Sequence, residues 1–441
     1  MQITRLLLTA WLFFFLALPA FSDEVHISEI TVEISGGNTR EPAVRRWLEI
    51  QENDVFESDA ALADAAERDV QELVNLRIFK SVDFSIVRES GGSGRHLIIT
   101  IQDAPTFVPV PMVLYDSNLG GVQILYVQIW DNMFGTLADW FSMSILTLRN
   151  GDEGKWETGP FYFAPQVSNI KIGDQVYAIR LEQQRVESQR LSGSILVSDY
   201  RYDRSALFFS TEFRFGPDRR LRYALEPGAE FRYGYRDYLG AGGFPRRPWG
   251  VQLEQSFYYD SVDAVGNSRR GWRTGLTNTL KLISEDGKVQ PVVDISGEIS
   301  PYITFDAKGI LSYYARFSGM KVWGDTYELI GDEMRGIPDS TMDGDFALYL
   351  NQTLGIRIWR LPNVFDLQIH PFFDMGMTTG GTRDFEGWKD VRKSTGADIL
   401  LFIEPVPNLA FRFTWGTDLD SDIAWGEEIK TEFIVRYAYS Y

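Results

Sequence analysis

The 441-residue chain carries 61 acidic and 43 basic residues, a formal charge of −18, three histidines and no cysteine. The acidic balance excludes a general nucleic-acid binder, which needs clustered Lys and Arg, and the lack of cysteine excludes a disulfide framework or a thiolate metal site. A mean hydropathy of −0.17 and the absence of any run of about 18 apolar residues exclude a helical membrane protein. A barrel, in which only alternate residues are apolar, escapes that test, and an aromatic content of 14% suits its interfacial girdles.

Residues 1–22 read as a secretory signal. Arg5 is the only charge, Leu6 to Leu18 form an apolar core, and Ala20-Phe21-Ser22 is a small-x-small cleavage site. The mature chain then starts at Asp23; an uncleaved anchor is the other reading, although the apolar run is short for a membrane helix.

Residues 23–104 mix strands and helices. Ile30, Val32 and Ile34 alternate as a first strand, followed by the turn Ser35-Gly36-Gly37-Asn38. Thr39 is a candidate helix N-cap with Pro42 in the first turn, and Val44, Trp47 and Leu48 form a stripe. A second helix starts near Ser58, with Leu62, Ala66, Val70, Leu73 and Leu76 facing inward. Val82, Phe84 and Ile86, then Leu97, Ile99 and Ile101, give two more strands around the turn Ser90-Gly91-Gly92-Ser93-Gly94. Some other small α+β domain would share this pattern. Ala104 to Pro111, with Pro105, Pro109 and Pro111, is a stiff connector or a ragged strand start.

From residue 105 to 441 the text is strand, turn, strand. Val122 to Trp130 leads into the turn Asp131-Asn132-Met133-Phe134-Gly135-Thr136. Further strands are expected at Ala138–Leu148, Lys155–Phe163, Gln175–Val186, Ser205–Phe215, Leu221–Arg236, Trp249–Asp260, Gly271–Ile283, Val289–Phe305 and Ile310–Val322. Leu191 to Tyr202 is read as an extended loop, because a further strand there would make the count odd. Short turns alternate with long connections, as in outer-membrane barrels. Glu254, Asp294, Glu298 and Arg316 are expected inside, and Val251, Leu253, Phe257, Ile295, Ile299 and Phe317 outside.

Asp345 to Trp359 and Val364 to Thr378 form the clearest pair. Phe346, Leu348, Leu350, Leu354, Ile356 and Ile358 share one face of the first, opposite Ala347, Tyr349, Asn351, Thr353, Gly355 and Arg357. In the second, Phe365, Leu367, Ile369, Pro371, Phe373, Met375 and Met377 oppose Asp366, Gln368, His370, Phe372, Asp374 and Gly376. Ser394-Thr395-Gly396 opens another strand, Leu409 to Trp415 follows, and Phe433, Val435, Tyr437, Tyr439 and Tyr441 share a face of the last. The fold class is thus an α+β domain followed by an all-β antiparallel transmembrane barrel of about sixteen strands.

Met334-Arg335-Gly336-Ile337 resembles the V-R-G-F/Y loop motif of the BamA/TamA outer-membrane assembly superfamily. Phe372-Phe373-Asp374-Met375-Gly376 resembles its F-x-D-x-G strand, and Asp131 to Thr136 its D-N-x-x-G-T turn. Residues 24–104 resemble a POTRA domain, with Asn38-Thr39 and Phe79-Lys80-Ser81-Val82 at the G-N-T and F-x-x-V positions. The chain has one such segment. The terminal aromatic strand resembles the sorting signal of bacterial barrels.

The resemblance implies a loop folded into the lumen with Arg335 paired to Asp374, a latch of modest energetic worth; a solvated extracellular arginine is the alternative. Family members often hold the arginine with a further carboxylate on the intervening strand. Here Asn351 and Thr353 are uncharged, which implies a simpler latch or a looser loop.

No catalytic site is expected. His26, His96 and His370 are far apart, no G-x-S-x-G elbow occurs, and Gly151-Asp152-Glu153-Gly154-Lys155 is a charged turn rather than a phosphate loop. No metal and no cofactor are expected. The resemblance implies an outer-membrane barrel with its POTRA domain in the periplasm, inserting, assembling or translocating other proteins through a lateral seam. Its partners would be outer-membrane lipid, unfolded outer-membrane or secreted clients, and periplasmic accessory proteins, with no nucleic acid. A passive pore or surface antigen of the same fold is the alternative, and lipid movement along the POTRA groove a third.

Overall fold

The computed structural model describes residues 24–89, 92–116, 121–150, 156–192, 195–216, 218–237, 246–324, 333–337, 344–380, 390–406, 409–420 and 429–437. The expected signal segment and parts of several connections lie outside them.

The N-terminal strand β1 (Val25–Ser35) buries Ile27, Ile30 and Val32 and runs parallel to β4 (Gly94–Asp103), with Ile30 opposite Leu97 and Val32 opposite Ile99. Antiparallel β3 (Phe79–Arg88) covers the other side of β4, and the short β2 (Val55–Phe56) covers β1, giving the order β2-β1-β4-β3. A parallel pair needs a crossover connection. Here α1 (Glu41–Arg45) and α2 (Asp59–Asn75) supply it. Ser58 caps α2 by accepting the Ala61 N–H at 3.2 Å. Leu62, Ala66 and Leu73 of α2 are buried in one core with Val44, Trp47, Leu97, Ile99 and Ile101.

Thr39 is not the cap of the first helix. Arg40 holds that position without a side-chain cap. Thr39 is taken by a tertiary partner: its N–H and Oγ1 both donate to Asp103, at 3.2 and 2.6 Å.

Sixteen long strands, β5–β12 and β14–β21, close an antiparallel barrel in which β21 lies beside β5. They are β5 (Phe107–Asp116), β6 (Gly121–Trp130), β7 (Asp139–Asn150), β8 (Trp156–Ile172), β9 (Gln175–Ser192), β10 (Ile195–Phe215), β11 (Leu221–Asp237) and β12 (Trp249–Asp260). After the three-residue β13 (Asp263–Val265) come β14 (Ser268–Glu285), β15 (Lys288–Thr304), β16 (Leu311–Trp323), β17 (Phe346–Leu361) and β18 (Phe365–Thr379). The ring ends with β19 (Arg392–Ile403), β20 (Leu409–Asp418) and β21 (Ile429–Tyr437).

Leu191–Tyr202 corrects the sequence reading. It is no loop: Leu191 pairs with Leu196 and Val186 with Tyr202, so the segment lengthens both arms of the β9–β10 hairpin. The strand count stays even because no separate strand is added.

The apolar side chains point out of the ring. Val113, Leu207, Phe257, Trp272, Leu276, Ile299 and Phe317 are exposed around it. Arg204 pairs with Glu182 and Glu230, Lys281 with Asp294, and Arg316 with Glu298, all on the opposite face. An apolar exterior and a charged interior suit a lipid-embedded cylinder and no water-soluble sandwich.

The N-terminal domain sits on the short-turn end. In the turn after β6, Asn132 Oδ1 accepts the Leu137 N–H at 3.0 Å, and its Nδ2 donates to Thr39 Oγ1. Gly135 has φ +72°, and its carbonyl accepts the Arg40 N–H at 3.1 Å. A Cβ there would stand 2.0 Å from the Asn38 carbonyl, so the turn needs glycine. Leu137 is fully buried in the N-terminal core. Ion pairs Arg214–Glu72 and Arg219–Glu49, both 2.7 Å, add two more fixed points.

Asp69 of α2 is almost wholly buried and accepts the N–H groups of Glu49 at 2.9 Å and Ile50 at 3.0 Å. Burial pushes its carboxyl from 3.8 up to about 6, outweighing those hydrogen bonds. Between these values the folded form holds a proton that the unfolded chain has released, so stability falls as pH rises from 3.8 to about 6. Asp69→Asn, which has no proton to release, is expected to flatten this part of the pH dependence of the domain's unfolding midpoint. An unchanged slope in D69N would contradict the assignment.

Candidate functional site

The site is built by the connection between β16 and β17. Of its middle part, residues 333–337 are described, and they lie against the barrel's inner wall. Met334 and Ile337 are buried with Ala347 and Tyr349 of β17 and pack against Met320 and Val322 of β16. These apolar anchors hold the loop on either side of Arg335.

Arg335 is held against β18 and β19. Its Nε donates to Asp374 Oδ2 at 2.9 Å and its NH2 to Asp374 Oδ1 at 2.7 Å, the two-pronged fit of a guanidinium to a carboxylate. Its backbone N–H also donates to Asp374, at 3.1 Å. NH1 donates to Asp398 Oδ2 at 3.0 Å and NH2 to the Gln352 carbonyl at 3.3 Å. The guanidinium carbon stands 4.0 Å from the centre of the Phe372 ring, a cation–π contact. The Arg335 side chain is 11% exposed, and that of Asp374 is fully buried.

Each letter of the two motifs has a steric or electrostatic task. Gly336, at φ +80°, leaves no room for a Cβ, which would stand 2.8 Å from the Thr417 nitrogen on β20. Gly376 clears space for Met334 and Tyr349; a Cβ there would be 2.6 Å from the Met334 sulfur. Phe372 lies inward, over Gly396 and Gly416, while Phe373 points outward and is exposed. Asn351 Nδ2 donates to the Glu333 carbonyl at 3.2 Å, and Arg316 pairs with Glu333 at 2.8 Å.

Two expectations change. The latch is neither simpler nor looser for lacking an acid on β17, because Asp398 of β19 supplies the further carboxylate from the other side. Nor is the arginine solvated and extracellular: both groups are buried, and removing Arg335 leaves Asp374 and Asp398 without their common partner. Asp398 was hard to find because Leu400 and Phe402 share its inward face and Ile399 and Leu401 the other, which erases the alternation along β19. Only the parity it shares with Ser394 and Gly396 carried the signal.

The C-terminal positions are apart from this cluster. Phe433 pairs with Phe413, Val435 with Phe411 and Tyr437 with Leu409 across β20–β21. Tyr439 and Tyr441 lie outside the described residues. Among the described residues no group of three or more His, Asp or Glu side chains could hold a metal ion.

The structure is similar to CdiB from Escherichia coli, with a TM-score of 0.61 and 14% identity over 94% of this chain and 76% of that one. BamA from Haemophilus ducreyi lacking POTRA domains 1–3 gives a TM-score of 0.50 and 14% identity over 93% of this chain and 84% of that chain. The fold is that of the BamA and CdiB barrels. CdiB from Acinetobacter baumannii matches at 0.56 with 10% identity, covering 95% of this chain and 74% of that one. No family model matches the sequence, and no curated protein does. At such identities the likeness lies in the chain path.

Asp374→Asn is expected to destabilise the folded barrel by about 3–5 kcal/mol, since it leaves the buried Arg335 without its two-pronged partner. Asp398→Asn should cost less, about 1–3 kcal/mol, because only one hydrogen bond to the guanidinium is weakened. Denaturant midpoints of the refolded barrel measure both; D398N equal to or worse than D374N would reverse this ranking. Gly336→Ala should release the loop while Asp374 remains intact, seen as protease cleavage within 333–337. Unchanged protection in that variant would show that the loop lies clear of β20.

Proposed function

We propose that this chain is a bacterial outer-membrane protein that inserts or translocates other proteins, with a POTRA-type N-terminal domain in the periplasm. The observation that carries the reading is the Arg335 loop seated inside a closed barrel and held by Asp374 and Asp398. On this reading the site's chemistry is positional. In lipid, unpaired backbone groups are costly, so the β5–β21 junction, where the two ends of the barrel meet, is where an entering client strand could pair. The N-terminal sheet would receive an extended client segment on its β3 edge, by strand addition. Outer-membrane lipid, unfolded clients and periplasmic accessory proteins are the partners this reading requires.

A passive pore or surface antigen is the second reading, favoured by the one small sheet domain found beside the barrel among the described residues. The chain has no native cysteine, so a disulfide between one cysteine placed in Phe107–Asp116 and one in Ile429–Tyr437 can lock the junction cleanly. We expect the locked protein to lose client insertion in reconstituted liposomes and to regain it on reduction. Insertion that proceeds unchanged in the locked form contradicts the insertase reading; large, steady conductance in that form supports the pore.

A further inference from the structure

A second polar row leaves the latch and ends at the N-terminal domain. Along the inward face of β18, Asp366, Gln368, His370, Phe372 and Asp374 succeed one another at every second position, and all five are buried. Phe372 and Asp374 hold Arg335. The other three continue the row toward the N-terminal domain.

We propose that Asp366, Gln368 and His370 form a line of hydrogen bonds that couples docking of the N-terminal domain to seating of the Arg335 loop. The line starts at Arg77, two residues beyond the end of α2, held at φ +58°. Its NH2 donates to Asn267 Oδ1 at 2.8 Å, in the turn between β13 and β14. Asn267 Nδ2 donates to Asp366 Oδ2 at 3.0 Å. Arg357 of β17 donates its Nε to both oxygens of that carboxylate, at 3.2 and 3.0 Å, and so compensates a charge with no exposure to solvent.

Beyond Asp366 the direction of every bond is determined. A carboxylate only accepts, so Gln368 must turn its Nε2 toward Asp366, at 3.1 Å. Its Oε1 then faces His370, which must donate through Nε2, at 2.9 Å. The imidazole is thereby set in one tautomer and orientation. Across the β18–β19 pair His370 stands opposite Asp398 in register. Asp398 is shared between Thr414 Oγ1, at 2.6 Å, and Arg335 NH1, at 3.0 Å. A buried amide between an acceptor and a donor has one satisfied orientation, so loosening Asp366 frees Gln368 and His370 to turn. The side chain opposite the latch's second carboxylate then changes its orientation. Coupling of this kind rests on a contiguous chain of packed polar groups with discrete arrangements. It holds whichever client the barrel handles, and whether or not it handles one.

The experiment is hydrogen exchange, read by mass spectrometry, on the full chain in detergent, following the peptide that covers Met334–Ile337. Arg77→Ala severs the line at the N-terminal domain, and exchange in that peptide is expected to rise about tenfold. Glu72→Gln removes one ion pair to Arg214, away from the line, while the Arg77–Asn267 hydrogen bond keeps that contact docked, and should leave the peptide unchanged. Gln368→Leu interrupts the middle while Arg335 keeps Asp374 and Asp398; in that background R77A should have no further effect. Where Q368L fails to give a heat-modifiable folded band, Asn267→Ser takes its place as the interrupting variant. Loop exchange that ignores R77A overturns the proposal. So does an R77A effect that persists at full size behind the interruption, or one that E72Q reproduces.

Discussion

A guanidinium that cannot shed its proton is taken out of water at Arg335, and the rest of the barrel is arranged around that necessity. The charge is tolerable there only with carboxylates at hydrogen-bond distance and donors pointed at acceptors. Asp374 meets it with both oxygens, Asp398 with one, and the Gln352 carbonyl with a fourth. These partners come from β17, β18 and β19, and the glycine after the arginine rests on β20. One side chain ties three adjacent strands to the connection, and the glycine after it reaches a fourth. The small residues are part of the same constraint. Gly376, Gly396 and Gly416 clear the wall so that Met334 and the Phe372 ring can lie flat against it.

The barrel's other end shows the same logic with neutral groups. The turn Asp131–Thr136 is braced by its own side chains, Asn132 to Leu137 and Thr136 to the Met133 carbonyl. Bracing the turn internally frees Asn132 Nδ2 and the Gly135 carbonyl for the N-terminal domain. Leu137 then adds apolar burial by entering that domain's core. Polar direction and hydrophobic contact together define how the two parts meet.

Much of this was legible in the sequence, and the limits have physical causes. Strict alternation along β17 and β18 put Phe372, Asp374 and Gly376 inside and Phe373 outside, because a period of two leaves a side chain no other choice. The loop arginine and its first partner were legible from short motifs in order. Asp398 was obscured because β19 is apolar on both faces. Thr39 looked like a cap since local pattern cannot see Asp103, 64 residues away. A loop at Leu191–Tyr202 follows from strand counting, since a further strand makes the count odd; counting does not register residues that lengthen two strands already present. Local rules read faces well; they read partners brought in by closure of the ring poorly.

The central claim is that Arg335 and Asp374 act on each other inside the barrel. A double-mutant cycle with Arg335→Met and Asp374→Leu, measured by urea unfolding of the refolded protein in lipid, tests it most directly. The account expects a coupling energy of about 2–3 kcal/mol, with the double variant more stable than Arg335→Met alone because the buried Asp374 carboxylate is no longer left without its partner. Strictly additive effects, with the two losses summing in the double variant, would show that the two side chains do not meet, and would contradict it.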